Sequence, residues 1–347
     1  MKALVLKANA DLQVEDRNIP DAPAAGSLLI RIAACGICGS DIPRGFHNRA
    51  YVYPLVMGHE FSGVVEADYA GTRYTKGDRV AVFPLIPNDP SEKAYQTGDY
   101  ALCRSYDYFG SRRDGAFEEL LRVPEKNLFK IPDHVDIIHA SMTEPAAVAL
   151  HGVRKLHIMA GDPGLVIGGG PIGNMTAQWL RIHGCDPVYV ADIDPEKLKI
   201  AGSMGFEVIN SRETDLVDRI MSLTAGEGIP RVVESCGLPG TFLQAIASAA
   251  TFGEVVFMGN IHGEFRIGEK EFSSILRREL SIYGTWNSRI VPAGQDDWST
   301  VLKFMDRELK VGPLISDLVT LDEGPGIFNS IINRSRFHNK VIFNIGA

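Results

Sequence analysis

Two short segments concentrate side chains able to hold a metal ion: Cys35-Gly36-Ile37-Cys38-Gly39-Ser40-Asp41 and Gly58-His59-Glu60-Phe61-Ser62-Gly63. A further carboxylate, Glu144, follows in Thr143-Glu144-Pro145-Ala146. Taken singly, none of these is decisive. A cysteine beside a strand is usually a small buried hydrophobe, and a His-Glu pair in a turn is usually a solvated surface feature. Together they offer one thiolate, one imidazole and two carboxylates. That set suffices for a tetrahedral zinc with one position left to water or substrate. An ion held in this way polarises an alcohol oxygen and brings its ionisation towards neutral pH.

A second constellation lies downstream. Leu165-Val166-Ile167 reads as a strand that runs into Gly168-Gly169-Gly170-Pro171-Ile172-Gly173 and then a helix over Asn174–His183. Gly168, Gly170 and Gly173 fall at the spacing of the dinucleotide fingerprint, between the strand and helix it requires. The first glycine permits a tight turn, the second lets the backbone approach a pyrophosphate, and the third lets helix and strand pack closely. With Pro171 and Ile172 they form a cradle at a helix N-terminus, where unpaired N–H groups favour phosphate. Asp192 lies 19 residues after Gly173, the spacing at which a carboxylate accepts hydrogen bonds from the adenosine ribose. The next residues, Ile193-Asp194-Pro195, bring a second carboxylate and no arginine. A 2′-phosphate would meet repulsion there, so NAD is expected rather than NADP. Lys197 either lines the adenine side or is a solvated helix lysine.

The elements that must position these residues are of two textures. Up to about residue 150 the chain alternates short β-branched runs with turns, as in Ser27–Ala33, Ser62–Glu66, Asp78–Phe83 and Phe117–Val123. This predicts an antiparallel β-rich region. From about 153, apolar strands alternate with helices, the pattern of a parallel sheet. Strands are expected at Leu165–Gly168, Val188–Asp192, Phe206–Asn210, Arg231–Ser235, Glu254–Gly259 and Leu280–Gly284, with helices such as Pro171–His183 and Pro195–Met204 between them. Six strands complete a doubly wound Rossmann sheet. A helical stretch near Trp298–Phe304 then leads to a last strand at Lys340–Asn344, which has no βαβ partner and could return to the first domain. The expected division is therefore a discontinuous domain of residues 1–152 and 290–347, with a nucleotide-binding domain at 153–289.

Composition narrows the class. The 347 residues are 45% hydrophobic and 22% charged with a net charge of -8, an ordinary globular balance with little attraction for nucleic acid. No run approaches the roughly 20 apolar residues of a membrane span, and the apolar start Ala3–Leu6 is too short for a signal peptide. A cytoplasmic location is the expectation. Five cysteines, an odd number in a long chain, fit reduced thiols better than a disulfide framework.

The motifs in this order resemble the zinc-containing medium-chain dehydrogenases over essentially the whole chain, and in particular their polyol branch, which includes sorbitol and galactitol-phosphate dehydrogenases. Gly110-Ser111-Arg112-Arg113-Asp114-Gly115-Ala116-Phe117 and Tyr53-Pro54 are similar to the galactitol-phosphate enzymes. The resemblance implies an α/β fold with a GroES-like catalytic domain beside the Rossmann domain. It implies NAD-linked oxidation of a secondary alcohol to a ketone, and Cys38 and His59 as zinc ligands. Glu60 and Glu144 would supply carboxylates, either of which could ligate the resting metal. Cys35 is not carried over as a ligand and is read as packed. Asp41 would orient His59 through its other ring nitrogen, and Ser40 would pass the substrate proton towards solvent, with His47 a second relay or a surface histidine. The loop that carries a four-cysteine structural zinc in many relatives runs here from Pro87 to Cys103 with Cys103 its only thiol, so one zinc per chain is expected. That loop must be ordered otherwise, or be mobile, with a subunit contact as one source of order. Arg44, Arg112 and Arg113 could address an anionic substrate, or be salt-bridged, with Asp114 an obvious partner. A small polyol or polyol phosphate is the expected substrate. A threonine or butanediol dehydrogenase, and a non-catalytic NAD-binding sensor, are the competing readings. Relatives associate through the edge of the nucleotide-binding sheet, so a homodimer or homotetramer is expected, involving Glu254–Gly259 and Leu280–Gly284.

Overall fold

Strand Ser27–Gly36 is the axis of the first half of the chain. Its run of Leu, Ile, Ala and Cys is buried along most of its length, as β-branched and small residues allow in a covered sheet. The computed structural model describes residues 1–21, 26–291 and 295–346 and divides into two units. Met1–Pro145 with Ser288–Ala347 form one, and Ala146–Asn287 the other. The break falls inside the helix Thr143–Val153.

In the first unit the strands run in the order Leu128–Lys130, Arg79–Val82, Glu60–Val65, Ser27–Gly36, Lys340–Asn344 and Ile315–Val319, with Leu120–Pro124 also paired to Ser27–Gly36. The C-terminal strand lies antiparallel to Ser27–Gly36, Ile342 opposite Gly36 and Phe343 opposite Cys35. A core of Leu28, Ile30, Phe61, Val80, Phe117 and Phe343 is closed off by these strands.

The loop from Pro87 to Cys103 is ordered within this unit. It holds a helical turn, Lys93–Gln96, and a 3-10 turn, Tyr100–Leu102. Tyr100 packs on Tyr95 and Phe83 at centroid distances of 5.2 and 6.1 Å. Arg289 ties the loop down from outside, through the Thr97 carbonyl at 3.0 Å and the Asp99 carboxylate at 3.2 Å.

The second unit is the parallel sheet expected from the βα alternation. Its order is Glu207–Asn210, Val188–Asp192, Gly164–Ile167, Ile229–Glu234, Ala249–Phe257 and Ser281–Gly284. Most boundaries fall within two residues of the sequence reading. The fifth strand is the exception: it begins at Ala249, well before Glu254, because Phe252 takes φ 59° and lets the chain bulge between two paired stretches. It is also interior, so that Ser281–Gly284 alone forms that edge of the sheet and Glu254–Gly259 does not. Proline at the first helical positions sets the helix starts at Pro171, Pro195 and Pro239. Among the described residues no helix is long and apolar enough to cross a membrane.

Candidate functional site

Three strand ends meet at one point of the first unit. Gly36 closes its strand, and the chain turns through Cys38. Glu60 opens the next strand with His59 just before it, and the two strands pair Gly36 against Glu60. Lys340 opens the C-terminal strand. The ligating atoms of Cys38, His59 and Glu60 all lie within 4.8 Å of one another. Glu144 does not join this cluster. Its carboxylate accepts a hydrogen bond from the Tyr108 hydroxyl at 3.2 Å, and the Tyr108 ring stands edge-on to His59 at 5.6 Å.

The electrostatics of this cluster call for a cation. His59, Glu60, Asp41 and Glu144 are all buried. Burial, then Glu60 and Asp41, drive the Cys38 thiol well above its usual pKa. Burial pushes the Glu144 carboxyl up to about 7, with His59 opposing and Glu60 reinforcing the rise. A buried ring nitrogen, His59 Nδ1, has no hydrogen-bond partner. Its nearest carboxylate oxygen, on Asp41, is 3.6 Å away. A thiolate, an imidazole and a carboxylate this close, with a polar atom left unmet, fit a divalent zinc-like ion better than any pairing among themselves.

One protein cation already stands there, and the sequence reading missed it. Lys340, 3% exposed, contacts the Glu60 carboxylate and donates to the Ile37 carbonyl at 3.0 Å. Burial opposes its charge, but Glu60 and Cys38 outweigh that and raise its pKa. Gly36 makes room for the pair: a Cβ there would lie 2.5 Å from Glu60 Oε2 and 2.8 Å from Lys340 Cε. The available signal was a lysine opening an otherwise apolar strand, Lys340-Val341-Ile342-Phe343, since lysine is seldom buried unpaired. Tyr108 was equally absent from the sequence reading, although the alternation Tyr106-Asp107-Tyr108 puts both tyrosines on one face.

The remaining expected residues fall as follows. Asp41 accepts from the Cys38 amide at 3.0 Å and from Arg44 at 2.5 Å, so it braces the Cys38 turn. Ser40 caps the helix Asp41–Phe46 without using its hydroxyl. His47 is exposed at the end of that helix. Cys35 is fully buried, and burial lifts its thiol far above the usual pKa. Arg113 pairs with Asp107 at 3.1 Å. Asp114 pairs instead with Arg17 at 2.8 Å and accepts from the Val56 amide, which corrects the expectation that it would neutralise Arg112 or Arg113. Arg112 donates to the Tyr106 carbonyl at 2.5 Å.

In the second unit, Gly168 takes φ +115°, a conformation that favours glycine. A Cβ on Gly173 would collide with the Gly168 carbonyl, whereas one on Gly170 would meet nothing within 4 Å. The third glycine therefore packs and the second faces open space, at the start of the helix Pro171–Ile182 whose cap has no side chain. Asp192 accepts from the Gly169 amide at 2.7 Å and the Asp194 amide at 2.9 Å. Lys197 pairs with Asp192 at 3.6 Å. Cys236 lies beside this turn, its thiol raised to about 12 by burial and then Glu234, too high to be reactive.

Residues 24–133 match a family model described as an alcohol dehydrogenase GroES-like domain, and residues 171–307 one described as a zinc-binding dehydrogenase. The galactitol 1-phosphate 5-dehydrogenase of Escherichia coli (strain K12) is 32% identical over 319 residues, 91% of this chain and 92% of that one. The crystal structure of galactitol-1-phosphate dehydrogenase from Escherichia coli matches with a TM-score of 0.92 and 31% identity over 99% of this chain and 100% of the other. The (R,R)-butanediol dehydrogenase of Bacillus subtilis (strain 168) is 32% identical over 74% of this chain and 77% of its own. A zinc-binding dehydrogenase from Sinorhizobium meliloti 1021, solved bound to NADP, has a TM-score of 0.88 at 29% identity, covering 99% of this chain and 98% of that one.

Proposed function

Because the chain belongs to the zinc-binding alcohol dehydrogenase family, we propose that it oxidises a secondary alcohol on a polyol or polyol phosphate to the ketone, with NAD as hydride acceptor. Galactitol 1-phosphate heads the candidate substrates. The observation that carries this reading is the cluster of Cys38, His59 and Glu60, whose ligating atoms all lie within 4.8 Å of one another.

A zinc ion bound there supplies Lewis acidity towards the alcohol oxygen. The residues of the chain do the rest. Asp41 braces the turn that presents Cys38. The Ser40 hydroxyl, not used in helix capping, is free to take the alcohol proton and pass it towards solvent. Tyr108 holds the Glu144 carboxyl beside the cluster, where it can enter or leave as a ligand. Gly168 to Gly173 bind the pyrophosphate through backbone amides, and Asp192 binds the adenosine ribose.

The preference for NAD rests on Asp192 and Asp194, two carboxylates where a 2′-phosphate would sit. Lys197 does not offset them, since its charge is spent on Asp192. One zinc per chain is proposed because Cys103 is the single thiol of its loop and that loop is held by aromatic packing and Arg289. A homodimer is proposed through Ser281–Gly284, an edge strand whose exposed Ile282 is accompanied by exposed Phe272, Leu276 and Trp286. Paired edges remove the hazard of an open strand. A butanediol or threonine dehydrogenase is the second reading, favoured by the likeness to the Bacillus subtilis enzyme.

The test is a spectrophotometric screen for NADH formation over polyols, polyol phosphates, vicinal diols and amino alcohols, with and without a chelator. Chelator-sensitive turnover of a polyol or its phosphate is the expected result. Turnover confined to threonine or butanediol would replace the substrate class. NADH binding by a metal-free, inactive protein would make the chain a sensor.

A further inference from the structure

Arg44, Arg112 and Arg113, the three arginines expected to address an anion, differ in how their charge is met. Arg44 is committed to Asp41, which is fully buried. Arg113 is committed to Asp107. Arg112 has no carboxylate within ion-pairing distance among the described residues. Its guanidinium lies over the ring of Tyr106 at 4.2 Å and near that of Tyr51 at 5.3 Å, and its one hydrogen bond goes to the Tyr106 carbonyl.

Strand geometry links this charge to the metal centre. In Tyr106–Tyr108 the two tyrosines share a face, with ring centroids 6.4 Å apart, and Asp107 points the other way to take Arg113. Tyr108 in turn meets His59 at 5.6 Å. A row of rings therefore runs from His59 through Tyr108 and Tyr106 to an unneutralised guanidinium. Its outer end is open: Arg112 is exposed and Tyr51 is 72% exposed. Stacking fixes the guanidinium plane while leaving most of its five N–H donors unspent.

We propose that Arg112 is the specificity-determining residue of this site, binding a phosphate monoester at the end of the polyol remote from the reacting carbon. The assignment of the substrate rests on the proposed polyol reading; the anion site itself does not. Arg44 and Arg113 cannot serve in its place without abandoning a carboxylate.

Two measurements on the zinc-loaded full chain test this. The first is the ratio of kcat/KM for a hexitol 1-phosphate to that for the free hexitol. Arg112→Gln should lower this ratio about 10- to 100-fold, the range of a charge-assisted hydrogen bond. Arg112→Lys should fail to restore it, because a point charge neither forks nor stacks, and Arg113→Gln should leave the phosphate preference in place. A ratio untouched by Arg112→Gln, or lowered equally by Arg113→Gln, overturns the proposal. The second is calorimetric titration with inorganic phosphate at saturating NADH, which needs no turnover. If no polyol or polyol phosphate is oxidised, the proposed function fails, while a tenfold or greater loss of phosphate affinity in Arg112→Gln still upholds the anion site and an unchanged affinity removes it.

Discussion

Glu60 has Lys340 as its ionic partner in a place where neither is reached by water. Removing one member of a buried pair leaves the other uncompensated, at a cost of about 3–5 kcal/mol. Lys340→Met should therefore destabilise the metal-free protein by about 3 kcal/mol. Zinc gives the orphaned carboxylate a second cation, so thermal unfolding with zinc present should recover most of the loss, and an equal loss with and without zinc would show that Lys340 does not serve Glu60. The ligand types were legible in the sequence because Cys38, His59 and Glu60 sit in short, distinctive runs. Lys340 was not, because its partner lies 280 residues away and no local pattern announces a contact at that separation. The arginines were legible as charges but not as free or committed ones, since Asp107 rather than Asp114 turned out to face Arg113.

Strands and helices of the second unit follow their sequence periodicity closely, because the central strands Gly164–Ile167 and Val188–Asp192 are buried along most of their length and four of the helices start at a proline or a capping aspartate. Where the reading slipped, at Ala249–Phe257, a single residue in a left-handed conformation was responsible, and Phe252 gives no hint of it. The helix Pro171–Ile182 tests how tightly element packing serves the nucleotide turn. Gly173→Val places a branched side chain against the Gly168 carbonyl, so the helix must move away from its strand, an overpacking cost of about 1–3 kcal/mol. NADH affinity, followed by fluorescence titration, should fall at least tenfold while zinc content stays as in the parent protein. Retained NADH affinity would mean that the close approach at this turn is not needed. The Pro87–Cys103 loop lies at the opposite extreme of legibility: its lost thiols were evident, but the Tyr95, Tyr100 and Phe83 packing that orders it depends on tertiary neighbours.

Across the whole molecule, acid groups outnumber bases, and besides Glu144 a second buried carboxyl, away from the candidate metal centre, bears on the pH response. Burial, and then the charge of Asp114, push Glu118 up to about 8, with Arg17 opposing. The folded chain thus keeps a proton that the unfolded chain releases near its model-peptide range. Stability should fall as pH rises through that interval and level off above about 8, by on the order of 5 kcal/mol. Glu118→Gln should flatten this slope and melt above the parent protein at pH 9; an unaltered slope would move the cause elsewhere. Residues 1–145 and 288–347 belong to one unit, a discontinuity foreshadowed by a last strand without a βαβ partner. That strand brings Lys340 to Gly36 and Glu60, and it is synthesised after all of the expected ligands. Every expected ligand is synthesised long before this counter-charge arrives, so a nascent chain stalled short of residue 340 would carry its expected donor set around an unbalanced carboxylate, with a metal ion as the one cation left to balance it.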